Sequence, residues 1–385
     1  MNKVSMQGIS AKDRILRLDP LILGLVAGLV IFGLIVLMSA TGPVAFQRTQ
    51  DSLYYVKHQI LSGVLPGLFL FAFFAVIDYR ILKKLAPVFL IGTLALLLVV
   101  YVPGIGVTVG GARSWISLGS VQFQPSEIVK LTFLIYLAAW LSGRAGGKAH
   151  DLHEGLIPLA GMLSGVALLL IIQPDTGTAA VIIGTAMIMY LASGAPLIWF
   201  AGMVTLGAGA IAFLVKSSPY RAARFMTFLH PELDPQGIGY HINQAILAIG
   251  SGGILGLGYG KSRQKYLYLP EVEADSIFAV MAEELGFIIT IVFVIAFGFL
   301  VWRCFKIALE SRDPFGAYLA IGIGAWLGIQ GLVNLMSMTG LMPMTGVTLP
   351  FISHGGTSMA VMLGAMGLIA GIPRHSGREF GFGRK

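Results

Sequence analysis

Long apolar runs separated by short polar segments dominate this chain. Ten of them approach the roughly 20 residues that a helix needs to cross the hydrocarbon of a bilayer. They lie near residues 21–40, 58–77, 86–102, 125–142, 156–173, 177–193, 197–215, 276–302, 316–338 and 357–372. The pattern predicts an all-α polytopic membrane protein with about ten transmembrane helices, a single membrane-embedded domain over residues 1–385. The first run is too long for the apolar core of a signal peptide and reads as the first span. Residues 1–20 and 373–385 read as polar tails, and residues 216–275 as a large loop between the seventh and eighth spans. Within that loop, H-I-N-Q-A-I-L-A-I at 241–249 is short and amphipathic, which predicts a helix lying on the bilayer surface.

Composition supports the same class. Of the residues, 56% are hydrophobic and 11% charged, with a mean hydropathy of +0.84, where soluble domains carry nearer a quarter charged residues. The 50 glycines suit closely packed membrane helices. A single cysteine, Cys304, excludes an intramolecular disulfide. No Walker A, dinucleotide-binding or zinc-protease motif is present, the 7 histidines show no ligand spacing, and the glycines at 252–260 resemble a phosphate loop only superficially.

Charge sets the orientation. With the N-terminus inside, most Lys and Arg fall in cytoplasmic segments, so both termini are expected in the cytoplasm. Six exceptions gather in the 216–275 loop: Lys216, Arg221, Arg224, Lys261, Arg263 and Lys265. They point to an anionic partner on the outer face. The most charged window follows, residues 258–286, with Glu271, Glu273 and Asp275 before the eighth span and Glu283 and Glu284 inside it. Such charges are costly at a membrane unless they are used.

Four long segments follow one another between residues 110 and 358: G-A-R-S-W-I-S-L-G with Q-P-S-E-I-V-K; Q-P-D-T-G-T-A; Y-L-P-E-V-E-A-D-S-I-F-A-V-M-A-E-E-L-G; and P-M-T-G-V-T-L-P-F-I-S-H-G-G-T-S. Together they resemble the SEDS family (shape, elongation, division and sporulation), the RodA/FtsW membrane glycosyltransferases of bacterial cell-wall synthesis. The run G-Y-G-K-S-R-Q-K-Y-L-Y-L-P-E is closer to the division-type FtsW pattern than to RodA. Ser276, His241 and His354 depart from it, standing where Phe, Gln and Tyr are usual. The resemblance implies polymerisation of lipid II into glycan strands at the outer leaflet of the bacterial inner membrane, for division or elongation. It implies an inverting displacement of undecaprenyl pyrophosphate. The partners implied are lipid II, the growing glycan strand, a class B penicillin-binding protein, and divisome or elongasome proteins, with no nucleic acid. No organic cofactor is expected, and a divalent cation, Mg²⁺ or Mn²⁺, is compatible with the leaving group.

That chemistry needs a base for the attacking hydroxyl and cations for the departing diphosphate. Asp275 is the candidate catalytic base; the plainer alternative makes it the N-cap of the eighth span, where the helix dipole would lower its basicity. Candidate substrate-binding residues are Arg113, Glu127, Lys130, Asp175, Arg224, Lys265, Glu271 and Ser353. Glu127 and Lys130 share a helix face and read either as a structural pair or as Lys130 on a phosphate with Glu127 tuning it. Arg113 reads as a phosphate clamp or a solvated loop cation, Asp175 as a site residue or a helix cap. Ser353 belongs with Gly355 and Gly356 in a backbone turn, and one of Glu283 and Glu284 is expected to face the cavity. A lipid II flippase that forms no bond is the competing function. Transport predicts polar groups at mid-bilayer and on both faces, whereas here they concentrate outside.

Overall fold

The computed structural model describes residues 18–109, 112–119, 121–144, 149, 151–216, 219–230 and 237–375. The outermost parts of both predicted tails, residues 1–17 and 376–385, lie outside this set. Each of the ten apolar runs forms a helix: α1 (Pro20–Thr49), α2 (Tyr54–Val76), α3 (Arg80–Val99), α4 (Pro125–Ser142), α5 (Leu152–Ile172), α6 (Thr176–Ala192), α7 (Leu197–Lys216), then, after α8 (Pro219–Leu229) and α9 (Ile238–Ser251), α10 (Ile277–Glu310), α11 (Pro314–Met338) and α12 (Gly356–His375). Among the described residues, seven of these (α1, α2, α3, α5, α10, α11 and α12) are long and apolar enough to cross a membrane. The chain is therefore a mostly helical, multi-pass membrane protein.

The helix starts carry their own signals. Asp19 caps α1 by accepting from Leu21 N (2.9 Å) and Ile22 N (3.1 Å), with Pro20 at the first helical position. Its second oxygen accepts from Arg303 near the end of α10 (Nε, 2.8 Å), so a buried ion pair ties these two helix ends together. α12 is almost wholly buried and forms the axis of the bundle. It lies against α2 so closely that a Cβ on Gly367 would stand 2.3 Å from the Phe71 carbonyl oxygen. Small residues permit that approach, and dispersion across it holds the helices together where lipid offers no hydrophobic drive.

Two expectations are corrected. The region between α3 and α4 is a three-stranded antiparallel sheet, β1 (Gly106–Val109), β2 (Ala112–Leu118) and β3 (Val121–Phe123), in the order β1-β2-β3. Ile116 pairs with both Gly106 and Phe123. The V-T-V, W-I-S-L and V-Q-F runs alternate with period two and are rich in β-branched and aromatic residues, a signal that a search for 20-residue apolar runs passes over. Region 216–275 contains, besides the helix expected at 241–249 (α9), a second helix, α8, in a stretch expected to be loop. The predicted surface helix is α9, which buries Ile242, Ala245 and Ala248 and leaves Ile246 and Leu247 exposed.

Candidate active site

The eighth span is not continuous. Gly286 sits at φ 72°, ψ −179° and breaks α10 two turns from its start, a conformation open essentially to glycine alone. The glycine-rich stretch after α9 fills the break. Leu257 N and Gly258 N donate to the carbonyls of Glu283 (3.0 Å) and Glu284 (2.9 Å), while Phe287 N and Ile288 N donate to those of Gly253 (2.9 Å) and Ile254 (3.2 Å). Backbone groups freed at membrane depth thus find partners. A Cβ on Gly256 would fall 2.2 Å from the Glu284 carbonyl oxygen. Gly252 and Gly256 serve this close packing, and the likeness of the run to a phosphate loop is accidental.

Both glutamates that follow hold the insert. Glu283 accepts from Ser262 Oγ and from Arg263 N (2.9 Å). Glu284 accepts from Ser39 Oγ of α1, Gly260 N, Ser262 N and Lys265 Nζ (2.8 Å). The expectation that one of the pair faces a cavity is corrected, since both carboxylates point into the loop. Lys265 is corrected too. It is buried, and its three ammonium protons are matched by Glu284, the Gly260 carbonyl and Ser39 Oγ, which leaves no donor for a phosphate.

This framework sets Asp275 at the mouth of α10. Ser276, not Asp275, is the N-cap residue, and it makes no side-chain cap bond. The Asp275 carboxyl is 6% exposed and receives Ser276 Oγ at 3.4 Å. Burial, and then the charge of Glu271, raises Asp275 to about 7, outweighing the hydrogen bonds that favour its ionised form. A helix-cap role with lowered basicity is therefore overturned: Ser276 holds the cap position, and burial raises the carboxyl. Glu271 itself is exposed on the loop before it.

Two polar frames enclose this point. On α11, Trp326, Gln330, Asn334 and Ser337 recur at helical spacing and bury one polar stripe. Asn334 Nδ2 holds the carbonyls of Asp275 (3.0 Å) and Val347 (2.8 Å). Gln330 Nε2 donates to the Thr348 carbonyl, and its Oε1 accepts from Trp326 and from Lys130 Nζ (2.8 Å). Lys130 also pairs with Glu127 at 2.7 Å, buried, with its ammonium over the Trp326 ring. The second frame joins Arg48, Tyr55 and Glu273: Arg48 donates to both others (2.7 and 2.8 Å). His354 N donates to the Glu273 carbonyl, and His354 Nε2 lies 3.2 Å from His58 Nδ1. Burial and then His58 depress His354 to about 4. Gln59 fixes the turn after residue 349 through the Ser353 carbonyl and Gly355 N. Ser353 Oγ accepts from Leu349 N (2.8 Å), so this buried hydroxyl, offered as a substrate ligand, is engaged within its own turn.

The profile of the FtsW/RodA/SpoVE family, described as cell cycle proteins, matches residues 19–378. This chain belongs to the SEDS family. It is 37% identical over 349 residues to stage V sporulation protein E of Bacillus subtilis, covering 90% of this chain and 94% of that protein. With a probable peptidoglycan glycosyltransferase FtsW of Thioalkalivibrio sulfidiphilus the identity is 39% over 351 residues, covering 89% and 86%. Among solved structures, a chain of a peptidoglycan synthase complex coordinating polymerization and crosslinking aligns with TM-score 0.76 at 30% identity, covering 94% of this chain and 99% of that one. Thermus thermophilus rod shape determining protein RodA aligns with TM-score 0.69 at 29% identity, covering 94% and 98%.

The remaining sequence candidates of this SEDS chain are distributed around the site. Asp175 does cap α6, accepting from Thr178 N (3.2 Å), while its other oxygen receives Gln124 Nε2 (3.4 Å) from the residue before α4. Arg113 lies on β2 and donates to the Val102 carbonyl. Arg224 falls on α8, and its side chain lies outside the described set. Sequence reasoning missed Gln330 and Asn334, although amides four residues apart within an apolar span are themselves a signal. It also missed Arg48, Tyr55 and Gln59, which local sequence does not single out. Among the described residues no group of three or more His, Cys, Asp or Glu side chains is arranged to hold a metal ion.

Proposed function

We propose that this SEDS-family protein is a peptidoglycan glycosyltransferase that polymerises lipid II on the outer face of the bacterial inner membrane, in division or elongation. The observation that carries the reading is Asp275: a buried carboxyl raised to about 7 at the mouth of a broken helix, backed by two polar frames. A general base is most effective when its basicity lies near the working pH. In the reaction, an acceptor sugar hydroxyl attacks the anomeric carbon of the lipid-linked donor. The new C–O bond forms with inversion, the bond from that carbon to the diphosphate breaks, the hydroxyl proton passes to Asp275, and undecaprenyl diphosphate departs.

Arg113 is the cation we assign to the diphosphate, because beyond its bond to Val102 its fork has further donors. Lys130 acts from within its pair with Glu127 by fixing Gln330 and through it the Thr348 backbone. The described residues do not form a resident metal site. Any Mg²⁺ or Mn²⁺ would be held mainly by diphosphate and water oxygens, and no step above depends on it. Ten crossings with both termini cytoplasmic follow if α4, α6 and α7 also span, which sets Asp275 and Arg113 outside. The similarity to a chain of a peptidoglycan synthase complex supports a class B penicillin-binding protein as partner, within the division or elongation machinery.

The test is glycan synthesis from lipid II by purified protein, with and without its transpeptidase, comparing wild type with Asp275→Ala. Polymer from wild type alone establishes the reading. Translocation of lipid II in vesicles with no polymer under any partner condition would replace it by the flippase reading, and polymer from both proteins would remove Asp275 from the chemistry.

A further inference from the structure

One short hydrogen bond closes the site from the α9 side and takes no part in the reaction described above. His241 of α9 places Nε2 2.6 Å from Ser276 Oγ, and Ser276 Oγ lies 3.4 Å from Asp275 Oδ1. Ser276 is fully buried and Asp275 nearly so. No water mediates so short a contact, and the hydroxyl has a single proton to give. When His241 carries hydrogen on Nε2, it donates to the serine oxygen and the serine proton is free for Asp275. The carboxylate then gains a donor, which favours its charged form. When Nε2 is bare, the serine proton turns to the imidazole and Asp275 loses it. A serine between an imidazole and a carboxyl therefore transmits the state of one to the other.

We propose that His241 is a positioning residue for Asp275, acting through Ser276 to fix the orientation and basicity of the carboxyl that accepts the acceptor-sugar proton. The proposal rests on the glycosyltransferase reading. Other charged groups around the chain are accounted for as follows. Glu271 faces Asp275 from the same loop. Glu273 is neutralised by Arg48 of α1 and bonded to Tyr55 of α2, with His354 entering from the turn before α12. α11 contributes the neutral Asn334. Arg221 and Arg224 belong to α8, the helix packed on α9. Among the described side chains, Ser276 is the one that bridges His241 to Asp275.

The experiment measures kcat, KM and the pH profile of lipid II polymerisation by the full-length protein with its transpeptidase. Wild type is compared with Ser276→Ala, His241→Ala, His241→Gln, the Ser276→Ala/His241→Ala double variant and Asp275→Asn. Loss of the serine donor is expected to lower kcat roughly fivefold, the worth of one ordinary hydrogen bond, with KM little changed. It also moves the acid limb of the profile to higher pH, since Asp275 has lost a group that favoured its charged form. His241→Ala leaves the hydroxyl unanchored yet still able to donate to Asp275, so it lowers kcat and moves the acid limb by less than Ser276→Ala does. His241→Gln, whose amide supplies an N–H in place of Nε2–H, recovers most of kcat. The double variant has the acid limb of Ser276→Ala, because the part of the histidine effect that reaches Asp275 passes through the serine hydroxyl. The proposal is overturned if the two single effects multiply, if kcat and the acid limb stay put in Ser276→Ala, or if only thermal stability changes. An active Asp275→Asn protein would instead remove the base reading itself, and the two failures are told apart by that variant alone.

Discussion

The lock between Lys265 and Glu284 offers a direct test of how the broken helix is held. The pair is buried on both sides, 4% and 3% exposed in the side chains, at 2.8 Å. Lys265→Met removes the cation and leaves Glu284 charged, with the Ser39 hydroxyl and the Gly260 and Ser262 amides as its remaining donors. Glu284→Leu leaves a buried ammonium and orphans those same groups. Removing one member of a buried pair costs about 3–5 kcal/mol, a large part of the 5–15 kcal/mol by which folded proteins exceed their unfolded states. In the double variant Lys265→Met/Glu284→Leu no charge is stranded, and the cost that remains is three donors without their acceptor, the Gly260 and Ser262 N–H groups and the Ser39 hydroxyl, about 1–3 kcal/mol each. At the middle of these ranges the double variant is expected to lose about 6 kcal/mol against about 8 for the sum of the single losses, a coupling of about 2 kcal/mol. Equilibrium unfolding in mixed detergent–SDS micelles measures all three proteins. Strict additivity, or single losses below about 1 kcal/mol, would refute the claim that this ion pair fastens the insert to α10, given the magnitudes expected of such pairs.

Gly286→Ala forces a side chain into φ 72° and brings its Cβ to 2.2 Å from Gly256 N; strain of about 1–3 kcal/mol plus the backbone collision predicts loss of folded protein, read by size-exclusion recovery after detergent extraction. His354, held near 4 in the fold against 6.5 when free, prefers its neutral form there. Its share of stability is complete above pH 6.5 and is lost as pH falls toward 4, by at most about 3 kcal/mol, so thermal unfolding of wild type should fall more steeply over that range than that of His354→Gln. A parallel slope in the two proteins would show that His354 is not desolvated in the fold as its depressed pKa requires. Because Asp275 lies near 7 and acts deprotonated, kcat/KM should decline as pH drops below about 7, and a flat profile down to pH 5 would exclude it as the base.

Much of this protein is determined locally. Ten apolar runs of near-membrane length dictate ten helices because, in a bilayer, a backbone satisfies itself most simply within one helix. Asp19 before Pro20 and Asp175 before Thr176 start α1 and α6, since a cap needs only a carboxylate and nearby amides. The sheet was also written in the alternation at 106–123, but its three short strands carry too little apolar length to register beside spans of 20 residues.

What only the tertiary structure decided is which charges are spent and which are left over. Lys265, Glu283, Glu284 and Ser353 all carry the residue types of a binding site. Long-range packing turns them inward: Lys265, Glu283 and Glu284 fasten the insert that fills the break at Gly286, and Ser353 closes its own turn. Asp275 shows the reverse. Its place before a helix foretells a stabilised carboxylate, yet burial against the loop and Asn334's grip on its backbone leave it short of donors and near neutral basicity. Hydrogen bonds from Ser39 and Arg48 to partners more than 200 residues away in the chain have no local signature. Desolvation depends on everything that closes around a group, and a linear pattern records only its neighbours.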